Sequence, residues 1–124
     1  MIKNYYLYLT EDICLELLIK LEELGIKYLF RVASNCYRNE LKSSKSRDEN
    51  INIKITKARL KNMEEEQQKK YLKKQYKKER LVQVELDTGE IEYLITNLSQ
   101  EEVEYEKMKE LYYERWNIEK AFNI

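Results

Sequence analysis

The chain has 124 residues, 23 basic and 23 acidic, and this length predicts a single domain able to bury a core. It contains no histidine, which excludes Ser-His-Asp and Cys-His mechanisms and every His-based zinc site. Its two cysteines lack C-x-x-C spacing, no leader is evident and no apolar run is long enough to span a bilayer, so a cytoplasmic chain with reduced thiols and no membrane partner is expected.

Met1 to Leu9 reads as an extended, Tyr-rich run. Thr10 is a plausible N-cap, with Glu11 and Asp12 in the first turn of a helix that runs to Leu24. Ile13, Leu17, Leu18, Leu21 and Leu24 give its predicted buried stripe, and Gly25 closes it in a left-handed cap. Ile26 to Val32 reads as a strand, Ala33 to Asn50 as a loop or weak strand, and Ile51 to Thr56 as a strand of alternating Ile and polar residues. The Lys, Glu, Gln and Leu composition of Lys57 to Lys78 predicts a charged helix with a narrow stripe of Leu60, Met63 and Tyr71 or Leu72. Val82, Val84 and Leu86 then alternate with polar residues, as do Ile91, Tyr93 and Ile95, and Asp87-Thr88-Gly89-Glu90 between them supplies turn chemistry for a β-hairpin. Ser99 and Glu102 form a capping-box pattern, which predicts a long C-terminal helix over Ser99 to Ile124.

The charge is unevenly spread. Residues 51–80 carry 11 basic and 4 acidic groups, a surplus of +7, and residues 81–124 carry 4 and 11, a surplus of −7. Such asymmetry points to an anionic partner on one side, or to oppositely charged segments pairing within or between chains. Lys69, Lys70, Lys73, Lys74, Lys77, Lys78 and Arg80 are the candidate nucleic-acid contacts; the plain alternative is a solvated charged helix.

On the last predicted helix, Tyr112, Arg115 and Glu119 fall within about 60° of one another. Read by spacing, Arg115 and Glu119 are an i, i+4 pair worth about 0.2–0.5 kcal/mol, and Trp116 is a packing anchor. The pattern Tyr112-x-x-Arg115-x-x-x-Glu119 resembles the C-terminal signature of bacterial insertion-sequence transposases of the DDE class, whose fourth member, a lysine, would fall two positions past Ile124. Leu81 to Leu98 resembles the strand pair ahead of that signature helix, and Glu22 to Val32 resembles the stretch that follows the family's second catalytic aspartate.

The resemblance implies an α/β chain with a partial RNase H-like fold: a helix-strand core unit over 1–34, a β-rich insertion with a charged helix over 35–98, and the signature helix over 99–124. It implies DNA transposition by Mg²⁺-dependent phosphoryl transfer on transposon ends, with Glu119 as catalytic carboxylate and metal ligand, Arg115 touching phosphate or orienting Glu119, and Tyr112 supporting the same face. By the same resemblance Ile2 stands where the second aspartate belongs, and the first would precede Met1. Asp12 reads as a first-turn helix residue, Asp87 as a turn former and Asp48 as part of a charged loop, so none replaces them. The expectation is a C-terminal remnant, inactive by itself, whose strand 26–32 has open edges that invite self-association.

Overall fold

The computed structural model describes residues 5–9, 14–33 and 36–121, with side chains described within 14–33 and 36–114. In chain order the elements are β1 (Tyr5–Leu9), α1 (Leu15–Glu23), β2 (Lys27–Val32), α2 (Arg38–Lys42), β3 (Asp48–Lys54), a 3-10 turn (Ala58–Leu60), α3 (Glu65–Leu72), β4 (Tyr76–Glu85), β5 (Ile91–Thr96) and α4 (Tyr105–Ala121). The strands form one sheet in the order β1-β2-β5-β4-β3. The pair β1 and β2 is parallel, as a crossover through α1 requires, and the other three pairings are antiparallel. The β4-β5 hairpin turns where expected, with Gly89 at φ 91° and Leu86 N–H donating to Glu90 O at 2.8 Å.

Alternation along the strands divides the core between the two faces of the sheet. Tyr28, Phe30, Val32, Leu81 and Ile95 meet Leu15, Leu18 and Ile19 of α1 together with Leu60 and Tyr71. On the opposite face Leu29, Val82, Val84 and Leu94 meet Leu98, Val103, Met108 and Tyr112. Each fully buried Leu, Ile or Phe among them contributes roughly 1.5–3 kcal/mol relative to exposure. The result is a mixed α/β arrangement with α1 on one face and α4 on the other.

Five expectations need correction. The buried face of α1 is Leu15, Leu18 and Ile19, while Leu17 and Leu24 are 39% and 62% exposed. A Leu-rich helix offers two stripes at 3.6-residue spacing, and the sheet takes the one containing Ile19. Thr10 and Ile13 lie outside the described residues. The stretch 33–50 holds the short helix α2, entered through Tyr37 in the left-handed region at φ 49°.

The predicted helix over 57–78 is instead a 3-10 turn, the eight residues of α3 and the start of β4. Gln75, at φ 66°, reverses the chain, and Tyr76 to Val82 then pair with β3. Strand 26–32 was expected at an open edge, yet β2 lies between β1 and β5 because the hairpin returns to it.

The last helix starts at Tyr105, not Ser99. The capping box does form, with Ser99 N–H donating to Glu102 Oε1 and Glu102 N–H to Ser99 Oγ, each at 3.1 Å. It closes one isolated turn, because Arg80 Nη1 draws the carbonyls of Leu98, Ser99 and Val103 to itself at 3.1, 3.1 and 2.7 Å. Residues 122–124, part of the expected helix, lie outside the described residues.

Candidate functional site

The positions that matter are set by how α4 docks. Tyr112 is fully buried against the sheet beside Met108, so its ring fixes which side of α4 faces inward. Tyr105 and Tyr113 flank that contact, their hydroxyls donating at 2.6 Å to the carbonyls of Gln83 and Glu85. The β3-β4 ladder ends at Asp48 opposite Val82 and Gln83 N–H still donates to Arg47 O at 2.7 Å, so the Gln83 carbonyl lies at the end of the pairing and the Glu85 carbonyl beyond it. The hydroxyls take the place of a missing strand. Arg47 stacks over the Tyr105 ring with its guanidinium carbon 4.2 Å from the centroid.

Replacing both tyrosines by phenylalanine keeps the rings and removes about 0.5–1.5 kcal/mol per hydrogen bond. Amide exchange across 105–121 is expected to accelerate in that variant, as read by mass spectrometry. Unchanged exchange would show that apolar packing alone holds the helix.

Helix α4 continues through positions 115 and 119, and by helical geometry position 119 falls within about 20° of Tyr112. The side chains of Arg115 and Glu119 lie outside those described.

The basic candidates divide into two groups. Lys69, Lys70, Lys73, Lys74 and Lys78 are exposed on α3, the turn after it and β4, and the Lys70 and Lys74 ammonium groups each lie 5.2 Å from the Tyr71 ring centre. Lys77 and Arg80 are engaged inside the protein. Arg80, 3% exposed, gives Asp48 a bidentate pair at 2.8 Å for each bond, in addition to its three carbonyls. Lys77 donates to Glu22 at 2.8 Å and to Glu79 at 3.0 Å.

Glu79 itself is buried and accepts a hydrogen bond from the Tyr28 hydroxyl. Burial, opposed by the Lys77 cation, pushes its carboxyl up to about 7. Burial and then the Glu79 charge raise the Tyr28 hydroxyl well above the ordinary tyrosine range. Sequence reasoning missed this network. The one available signal is Glu79-Arg80 abutting the apolar run Leu81-Val82, where two charges enter a strand that must be buried.

The other carboxylates considered by sequence give no catalytic set. Asp48 is held by Arg80, Asp87 is exposed in the hairpin turn, and Asp12 and Ile2 lie outside the described residues. Among the described residues no three Asp, Glu or Cys side chains converge as metal ligands. The described side chains alone therefore supply no donor set for a pair of divalent ions, and Glu119 lies outside them.

The family model described as a transposase DDE domain matches residues 12–124, from ahead of α1 through the hairpin and all of α4. The chain belongs to the transposase DDE domain family. No curated protein and no solved structure matches it. The transposase DDE family acts in DNA transposition, generally with divalent metal ions, and binds DNA as its substrate. No described helix of this transposase domain is long and apolar enough to cross a membrane.

Proposed function

We propose that these residues form the part of an RNase H-like transposase catalytic domain that carries the third carboxylate of the site, Glu119, and that they do not catalyse strand transfer by themselves. The reading is supported above all by α4: the helix that carries Tyr112, Arg115 and Glu119 is anchored to the sheet through the buried Tyr112 ring. The parallel unit β1-α1-β2 beside it accords with such a core. On this reading Tyr112 acts by placing the helix, Glu119 presents a hard oxygen donor suited to Mg²⁺, and Arg115 meets phosphate or orients Glu119.

Asp48 is held by Arg80 and Asp87 lies in the hairpin turn, so on this reading neither serves as a partner for Glu119 and the 124 residues do not catalyse by themselves. Purified chain with Mg²⁺ or Mn²⁺ should neither nick supercoiled DNA nor join a labelled duplex to it. Metal-dependent cleavage that disappears in Glu119→Ala would overturn this reading.

The exposed lysines of α3 and β4 favour a second, non-catalytic property, contact with the DNA backbone. Such binding is weak, indifferent to sequence and steeply salt-dependent, with a slope of about −0.9 per phosphate neutralised. Reversing Lys69, Lys70, Lys73 and Lys74 to Glu should abolish it in an anisotropy titration of a labelled duplex, whereas Glu119→Gln should leave it unchanged. Lys77 and Arg80 are left out of that variant because their cations already serve Glu22, Glu79 and Asp48. Binding that survives the four reversals would leave a solvated helix.

A further inference from the structure

Cys14 and Cys36 are far apart in sequence but line one cleft of about 230 Å³, together with Leu15, Tyr37, Arg59 and Lys61. Cys14 is exposed at the N-cap of α1, and Cys36 is half-buried in the turn whose N–H donates to Ala33 O at 2.9 Å. The walls between them are tied in place. Glu16 of α1 accepts the Asn62 N–H at 2.6 Å, and Arg59 pairs with Glu40 through both nitrogens at 3.0 and 3.2 Å while its guanidinium carbon lies 4.9 Å from the Tyr37 ring centre. Burial raises the Tyr37 hydroxyl, and the Arg59 cation opposes that rise. The Arg59 and Lys61 cations line the same cleft, and a small disulfide can reach the exposed Cys14 at its rim.

We propose that Cys14 and Cys36 are a thiol pair that a low-molecular-weight disulfide converts into an internal disulfide, stapling the start of α1 to the turn ahead of α2. One protein thiolate attacks a sulfur of the oxidant and expels the first small thiolate. The second attacks the protein sulfur of the mixed disulfide and expels the other. One disulfide bond breaks and one forms, and the two protein protons end on the two small thiols. A reducing cytosol keeps the pair open, so closure reports an oxidising shift.

The test is to expose the full chain, at dilute concentration, to glutathione disulfide and measure intact mass. The expected product has lost two hydrogens, carries no adduct and yields a peptide joining positions 14 and 36. Cys14→Ser and Cys36→Ser should each retain one glutathione, with occupancy about tenfold above that of the unsubstituted chain, because only the pair has an intramolecular resolving thiol. Persistent adducts on the unsubstituted chain, disulfide-linked dimers, or no reaction would each overturn the proposal.

Discussion

Replacing Arg80 with alanine should lower the free energy of unfolding by about 3–5 kcal/mol, the loss typical when one partner of a buried ion pair is removed. Its guanidinium holds the Asp48 carboxylate of β3 and three carbonyls ahead of α4 at once, so the substitution takes a donor from four acceptors, of which the Ser99 carbonyl keeps the Val103 N–H at 3.0 Å. Asp48 keeps only the Gln100 amide at 3.3 Å among the contacts around it. Arg80→Lys should recover little, because a single ammonium cannot form the fork to a carboxylate while reaching carbonyls on its other side. Urea melts give the number directly, and amide exchange should show α4 loosening first. A loss below about 1 kcal/mol would mean that water satisfies the vacated acceptors.

Raising the pH from 5 to 8 should destabilise the protein, and Glu79→Gln should remove most of that dependence. The folded carboxyl titrates at about 7, against 4.5 for the ordinary group. Between those values the folded chain keeps a proton that the unfolded chain has released. Stability from this site is therefore complete below about 4.5 and is lost as the pH rises through about 7, by up to about 3 kcal/mol. The usual competitor in this window is absent, because the chain has no histidine. Glutamine keeps an acceptor for the Tyr28 hydroxyl without the titration. Paired urea melts at the two pH values decide the matter: an equal pH response in both proteins would assign it to another group.

What could be read from the sequence depended on whether a pattern had one physical solution. The hairpin was legible because Val82, Val84, Ile91 and Ile95 alternate about a glycine that needs positive φ, and strand β2 because its apolar run follows a glycine cap. The existence of α1 was legible, but its inward face was not, since Leu17 and Ile19 offer comparable stripes. Tyr76 to Lys78, the end of the expected charged helix, misled for a deeper reason. Their composition suits a solvated helix, and they become strand only because β3 supplies a partner distant in sequence. The candidate site divided in the same way. The helix under positions 112, 115 and 119 was legible, whereas the burial of Tyr112 and the internal duties of Lys77 and Arg80 depend on contacts that spacing cannot encode.

The overhang of β4 has a bearing on solution behaviour. Without their tyrosine donors the Gln83 and Glu85 carbonyls would offer a docking point to an extended segment of another chain. Here the blocking groups are phenols on α4, so the helix that carries the signature also acts as an intramolecular chaperone for the sheet. Undocking the helix would free the Gln83 and Glu85 carbonyls in the same step, so exposure of this edge is tied to the seating of α4.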